Sequence, residues 1–299
     1  MTLFEKIKRH IEWRIKKTGI YDNLSDEKYL KMLFKKRFGK ELDLNNPQTF
    51  NEKLQWLKLY DRKPIYTTMV DKYEVKEFVS NIIGKDYSIP TIGVWNTFDE
   101  IDFDKLPNQF VLKCTHDSGG LVIVKDKQKF NKTKAKEKIS QCLKRNYYVR
   151  SREWPYKEVK PRIIAEPYMV DGMLGELRDY KFFCFNGKCR CFKIDYGRFI
   201  KHQANYYDRN GCLLKFGEIV CPPDFGKHIE LPKNLNNMVE IAEQLSKDMI
   251  FLRVDFYEVN GKVYVGELTF YPASGMGKFE PEEWDNTLGS WLVLPVNFS

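Results

Sequence analysis

Apolar residues recur along this chain at two different spacings, and the change from one to the other divides it. In the first third the spacing is helical: Phe4, Ile7, Ile11 and Ile15 form one stripe. Ser25 followed by Asp26 and Glu27 makes a helix start, and Thr49-Phe50-Asn51-Glu52 has the spacing of a capping box opening NEKLQWLKLY. DKYEVKEFVSNI, 71–82, predicts another helix. From SIPTIGVW onward short β-type runs dominate: FVLKC (110–114), LVIVK (121–125), RIIAEPYM (162–169), DYKFFCF (179–185) and KCRCFKID (188–195). They are interrupted by a helical stretch near 132–147 and by NLNNMVEIAEQL, where Leu235, Val239, Ala242 and Leu245 share a face. There is no internal repeat and no low-complexity tract. The pattern predicts an α+β protein, with a mainly helical N-terminal portion over 1–84, a body over 85–299 and a boundary near 84–96.

One β-prone stretch departs from the pattern. FLRVDFYEVNGKVYVGELTF, 251–270, reads as a hairpin, yet Arg253 and Asp255 share one strand face and Glu267 and Thr269 share a face of the next. A two-residue Asn260-Gly261 loop would pair Val254 with Glu267 and separate the carboxylates. A three-residue Val259-Asn260-Gly261 loop with Gly261 in the left-handed position pairs Arg253 with Glu267 and brings Asp255 to the same face; this second register is the one expected. Two carboxylates side by side in a sheet repel unless something positive lies between them. The readings are a surface face with an Arg–Glu pair or a divalent cation site, for which oxygen ligands indicate Mg²⁺ rather than zinc.

Composition narrows the classes. At 299 residues and 42% apolar content the chain can bury a sizeable core. Its seven cysteines are scattered with no CxxC pair, which indicates a reducing cytosol and no structural zinc. No run approaches the roughly 18 apolar residues of a membrane span, and the start lacks a signal peptide's apolar stretch. Of the formal charge of +9, residues 1–40 carry +7, from 12 Lys and Arg against 5 Asp and Glu, so a basic core that grips nucleic acid is disfavoured. The basic helix of residues 3–17 has two readings: it docks on its own domain, or it rests on anionic lipid or a membrane-bound partner.

QFVLKCTHDSGGLVIVK, 109–125, carries a second candidate. Lys113 lies near the end of an apolar strand, and THDSGG joins that strand to the next. Backbone N–H groups of a Ser/Gly turn can surround phosphate oxygens beside a lysine. It is not a Walker A loop, because no GK[ST] follows and the loop leads to a strand. A phosphate-type loop and a Mg²⁺-type carboxylate pair in one chain together suggest a nucleoside triphosphate.

Lys113 with its loop, IIAEPYM, DYKFFCFNGK and RVD followed by GELTF resemble the ordered landmarks of the ATP-grasp fold. More closely, FNEKLQWLKLYD, DKYEVKEFV, FVLKCTHDSGG, DYKFFCFNGK and RVDFYEVNGKVYVGELTFYPASG are similar to the TupA-like ATP-grasp proteins, over about residues 25–295. Those proteins are associated with teichuronopeptide and bacterial capsule or surface polysaccharide synthesis. The resemblance implies a small ATP-lid subdomain over about 97–165 and a central sheet subdomain with the metal site over 166–299.

It also implies roles. Lys113 would contact the phosphates of ATP, with His116 in the loop and Ser118, Gly119 and Gly120 closing over them. Glu166 and the Pro167-Tyr168 hinge would lie along the adenine, Glu176 or Asp179 would face the ribose, and Lys181 would be a second phosphate contact or a solvated strand lysine. Asp255 and Glu267 would hold Mg²⁺, and Arg253 would stabilise the oxyanion. Thr269 stands where the broader fold usually has Asn, which bears on a second metal. Ser274, Gly275 and Arg198 are candidates for the substrate carboxylate, although a Ser-Gly turn after a strand is common. The implied activity is an ATP- and Mg²⁺-dependent carboxylate–amine ligase acting in the cytoplasm through an acyl phosphate. The acid would be a hexuronic acid of a nucleotide sugar or glycan, and the amine an amino acid or small amino alcohol. The alternative is a glycosyltransferase, for which Asp102-Phe103-Asp104 is the one D-x-D.

Overall fold

The computed structural model describes residues 24–117, 119–170, 177–197 and 200–295. The expected basic helix of 3–17, and Ser118, Glu176 and Arg198, lie outside the described residues.

The helical portion forms where its caps dictate. Helix α1 (Asp26–Phe38) is capped by Ser25 and stopped by Gly39, whose φ of +75° is left-handed. Helix α2 (Phe50–Tyr60) opens with the capping box: Thr49 Oγ1 accepts from Glu52 N at 3.2 Å, and Glu52 Oε2 accepts from Thr49 N at 3.0 Å. The short α3 (Ile65–Val70) was not expected. Helix α4 (Val75–Ile83) begins four residues later than the sequence suggests, because Asp71 Oδ1 takes the N–H groups of Tyr73 and Glu74 and holds a turn there.

Two antiparallel sheets follow. The smaller has the order β1 (Gly93–Trp95), β4 (Ile163–Pro167), β2 (Phe110–Cys114), β3 (Leu121–Val124). Ala135, Ile139 and Cys142 of α5 (Lys132–Leu143) join Phe110, Leu112 and Cys114 in its core. The larger runs β11 (Lys262–Thr269), β10 (Phe251–Val259), β5 (Asp179–Phe185), β6 (Lys188–Tyr196), β7 (Gln203–Asp208), β8 (Leu213–Leu214). Strands β9 (Gly217–Glu218) and β12 (Phe279–Glu280) make a separate pair, and α6 (Tyr147–Ser151), α7 (Leu235–Leu245) and α8 (Glu283–Trp291) complete the fold.

The faces of the large sheet differ. On one, Phe182 stacks on Phe192 at 4.8 Å and meets Phe256 edge-on at 5.3 Å. On the other, Phe183, Phe185 and Phe251 close against Phe50 of α2 and Trp291 of α8 at one end, and the charged residues occupy the remainder. Residues of α1 to α4 share a single apolar core with this sheet, whereas the small sheet and α5 have their own. The chain passes from the first core to the second between Tyr87 and Ile92, touches the first again at Tyr156 and Val159, and returns to it for good between Ala165 and Tyr180.

The hairpin corrects the expected register. The loop is the two-residue Asn260-Gly261, with φ of +51° and +76° at its centre, so Val259 pairs with Lys262. That loop alone would part the carboxylates. A bulge at Gly266, opposite the Asp255/Phe256 step, shifts the parity, so that Asp255 pairs directly with Glu267 and Arg253 with Thr269, not with Glu267. Glycine is required at the bulge: a Cβ there would lie 2.6 Å from the Tyr257 ring.

Candidate active site

Strand pairing sets the first cluster. Lys113 on β2 reaches Glu166 on neighbouring β4, Nζ to Oε2 at 2.5 Å, while Lys76 of α4 holds Oε1 at 2.5 Å. Lys76 is itself fixed by Ile89 O at 2.9 Å and Thr91 Oγ1 at 2.7 Å. Burial pushes the Glu166 carboxyl up, but Lys113 and Lys76 outweigh it and leave it below the ordinary range. A narrow cleft between these lysines also borders Val265 and Gly266, so the bulge of the large sheet meets the small sheet here.

Beside the cluster lies an apolar cavity of about 220 Å³, lined by Val111, Ile123, Pro167, Tyr168, Met169 and Leu177 among others. Lys113 and Glu166 form its polar end, and Tyr257 reaches in from β10. Lys125 Nζ sits 5.6 Å from the Tyr168 ring centroid. A flat apolar slot with a few convergent polar groups is the usual shape of a small-molecule site.

The THDSGG loop is anchored from below. Lys72 Nζ donates to Asp117 O at 2.9 Å, and Cys114 N donates to Gly120 O at 2.7 Å. Gly120 packs on Cys114, where a Cβ would come within 2.5 Å of Sγ, while Gly119 N donates to Asp117 Oδ1 at 3.2 Å. His116 is buried with its Nε2 3.1 Å from Cys142 O, and burial lowers its pKa. Its ring is engaged with Cys142 of α5 rather than with the cavity.

Across the large sheet, Glu267, Asp255, Lys181 and Lys193 stand in one register row. Arg253 grips Asp255 with two bonds of 2.6 and 2.7 Å and donates to Thr269 Oγ1 at 3.0 Å. Burial raises the Asp255 carboxyl, Arg253 and Lys181 pull it back, and Glu267 pushes it up again; the net shift is upward. Lys181 donates to Asp179 Oδ2 at 2.8 Å and to Asp195. Lys193 binds Glu218 Oε1 at 2.9 Å, to which Tyr206 also donates at 2.5 Å. Lys181 is thus buried within an ion network and is no solvated strand lysine.

The oxygen donors fit Mg²⁺. Asp255 and Glu267 are hard oxygen ligands placed directly opposite each other on paired strands, with Arg253 on both oxygens of Asp255 in this structure. Among the described residues there is no group of three His, Cys, Asp or Glu arranged for a metal. Two protein carboxylates with substrate phosphates completing the shell is the ordinary Mg²⁺ arrangement.

A second cavity of about 520 Å³ opens from the same face, lined by Arg253, Glu267 and Thr269 at one end and by Lys58, Glu153 and Ser274 among others. Ser274 Oγ donates to Glu153 Oε1 at 2.8 Å, and Gly275 O accepts from Gln55 at 2.7 Å. A third hollow of about 680 Å³ over β3 and α5 contains none of Arg253, Asp255 or Glu267.

Sequence reasoning misses Lys76, Lys58 and Glu153. Lys76 and Lys58 sit in helices where a lysine reads as a solvated face, and Glu153 sits in an irregular segment; the capping box ahead of Lys58 is the one local signal. Asp102-Phe103-Asp104 is a turn in which Asp102 accepts from Asp104 N at 3.1 Å and pairs with Lys105 at 3.1 Å, so its carboxylate is spent locally.

Among solved structures the chain is similar to D-alanine–D-alanine ligase from Bacillus anthracis complexed with ATP, at 17% identity and TM-score 0.42, covering 75% of this chain and 63% of that one. It is also similar to phosphoribosylamine–glycine ligase from Thermotoga maritima, at 14% identity and TM-score 0.42, covering 69% and 48%. A third is D-alanine–D-alanine ligase from Helicobacter pylori, at 14% identity and TM-score 0.41, covering 83% and 70%. No curated protein matches the sequence. The family model of the TupA-like ATP-grasp proteins matches residues 52–293, and with most of its length so covered the chain belongs to the TupA-like ATP-grasp family.

Proposed function

We propose that this protein is an ATP- and Mg²⁺-dependent carboxylate–amine ligase that works through an acyl phosphate. It would join an amino acid or small amine to a hexuronic acid of a nucleotide sugar or surface polysaccharide. The observation that carries the reading is that two cavities border one face of β10. Tyr257 lines the apolar cavity, which ends at Lys113 and Glu166, Arg253 lines the second cavity together with Glu267 and Thr269, and Asp255 stands between the two on the same strand face.

In this reading the adenine occupies the apolar cavity along Pro167 and Tyr168, with Glu166 at its edge. Lys113 and Lys76 meet the phosphates beneath the THDSGG loop, where Gly119 and Gly120 let the backbone approach, and Lys181 supplies a further positive charge. Asp179 serves the ribose through the same network. Asp255 and Glu267 would hold Mg²⁺, which supplies charge neutralisation on the transferring phosphoryl group. Arg253 is poised for charge that develops on the acyl carbonyl, in a buried setting where fixed donors act strongly. Burial opposes its charge, but Asp255 and the nearby acids keep its pKa raised, so it stays protonated through the working range. Ser274 and Gly275 form part of the acceptor wall.

The seven cysteines are free. No helix among the described residues is long and apolar enough to cross a membrane.

Hydroxylamine trapping tests the ligase reading. With ATP, Mg²⁺ and a panel of hexuronic acids and their nucleotide sugars, hydroxylamine in place of the amine should yield a hydroxamate with stoichiometric ADP and phosphate. Arg253→Ala should slow this on the order of 10²–10³-fold, the scale for removing one charge-stabilising donor. Sugar transfer from a nucleotide donor without ATP, with no hydroxamate from any acid, would refute the reading.

A further inference from the structure

The second cavity contains a buried carboxylate that, among the described residues, has no cation in direct contact. Glu153 is only 4% exposed, and among the described residues it makes no ion pair. Its donor is the Ser274 hydroxyl at 2.8 Å, and burial raises its carboxyl despite Lys58, Ser274 and Ser151. Lys58, the nearest favourable charge, acts on it across space and through the Ser274 hydroxyl and makes no direct ion pair with it. That ammonium donates to Ser151 O at 2.9 Å, Ser274 O at 2.8 Å, Ser274 Oγ at 3.1 Å and Gln55 Oε1 at 3.1 Å, and so acts as a strut between α2 and the loop after β11.

The loop it braces is strained. Ala273 and Ser274 have φ of +47° and +58°, a left-handed backbone that non-glycine residues adopt at a cost and keep only where their surroundings impose it. Gln55 and Lys58 impose it, and the result is a Ser274 hydroxyl aimed at Glu153. Tyr147, Tyr156 and Tyr271 line the same cavity, and the Lys58 ammonium already lies 5.7 Å from the Tyr271 ring centroid. Arg150, exposed in the lining, presents a guanidinium at the other polarity.

We propose that this cavity binds the attacking nucleophile as a zwitterionic amino acid, its ammonium docked on Glu153 and Ser274 and its carboxylate on Arg150. The assignment rests on the ligase reading above and specifies its amine. A buried carboxylate with no cation in direct contact selects a cationic group, because binding one relieves the desolvation that Lys58 and the Ser274 hydroxyl leave uncompensated. Arg150 selects an amino acid over an amino alcohol, since a hydroxyl offers no bidentate partner. The chemistry then balances. One proton of the ammonium passes to Glu153, the free amine attacks the acyl phosphate, the N–C bond forms, and the C–O bond breaks with its electron pair leaving on phosphate. A second nitrogen proton leaves with the phosphate, giving the amide.

Calorimetry on the full chain with Mg²⁺ and AMP-PNP, titrated with each of the proteinogenic amino acids, tests the proposal. At least one amino acid should bind. Glu153→Gln should weaken it by about 10- to 100-fold, the scale of a lost charged hydrogen bond, and Glu153→Asp should recover part of the loss. The corresponding amine without its α-carboxylate should keep the dependence on Glu153 and lose the dependence seen with Arg150→Ala; a merely structural role for Glu153 would not divide in this way. Nucleotide binding by wild type with no amino acid binding, or wild-type amino acid affinity in Glu153→Gln, overturns the amine subsite. Failure of AMP-PNP to bind wild type overturns the ligase reading itself.

Discussion

At the scale of single residues, the site is a set of charges whose partners decide what each can do. Glu166 is held by two lysines, so removing either leaves the other to pair with it, and both should matter to phosphates rather than to the base. Lys76→Ala and Lys113→Ala should each weaken ATP binding far more than adenosine binding, by roughly 10-fold or more, as expected for losing a charge-assisted contact. Equal losses for both ligands in calorimetry would contradict this. Glu267→Gln should abolish Mg²⁺-dependent ADP release while leaving the melting transition in place, since removing one of two adjacent like charges need not weaken a sheet. Lys58 gives a pH test. Burial depresses its pKa from 10.5 to about 8. Below pH 8 it is protonated in the folded and unfolded chains alike, and the cost of burying the charge is present in full. Between about 8 and 10.5 the unfolded chain holds a proton that the folded one has shed, so stability relative to a Lys58→Met variant should rise with pH, by about 3 kcal/mol over the whole window. Denaturant unfolding of both proteins at pH 7.5 and pH 10 measures it; a difference that is flat or falls with pH refutes the shifted lysine.

At the scale of elements, the hairpin of β10 and β11 shows how one inserted residue decides chemistry. Its strands, its Asn-Gly turn and its charged positions are legible from alternation and turn preference. The bulge is not, because Gly266 reads as one more strand residue until Tyr257 is packed against it. Gly266→Ala should cost about 1–3 kcal/mol, the usual penalty of overpacking. It should also impair nucleotide binding, because the displaced Tyr257 lines the apolar cavity. A Tyr257→Leu change in the same chain should restore part of the stability, and thermal melting of the three variants checks the coupling. The α2 capping box is the opposite case: Thr49, Glu52 and their reciprocal bonds are all readable within four residues, since the interaction is local.

At the scale of the whole molecule, the helical portion is a structural half of the core that carries the site. Leu30, Phe34, Phe50, Leu54 and Tyr66 share a cluster with Phe183, Phe251 and Leu268 of the large sheet. From this portion Lys76 reaches into the narrow cleft beside Glu166, and Lys58 into the second cavity. A chain of residues 85–299 alone should therefore show no cooperative unfolding and no nucleotide binding, whereas an independent body would melt sharply. Circular dichroism and calorimetry on that fragment separate the two.

The division between what could be read and what had to be folded follows the range of the interactions. The sequence alone determines the helix starts at Ser25 and Thr49, the strands around Lys113, Glu166 and Lys181, and the shared face of Arg253 and Asp255, because caps and alternation act within a few residues. Tertiary structure alone decides that Lys76 completes the Glu166 cluster, that Lys58 is spent on carbonyls of Ser151 and Ser274, and that Glu153 is left to face the second cavity. Each of these turns on whether a charge meets its counter-charge or a carbonyl once it is taken out of water. Distant segments make that choice, and no local spacing records it.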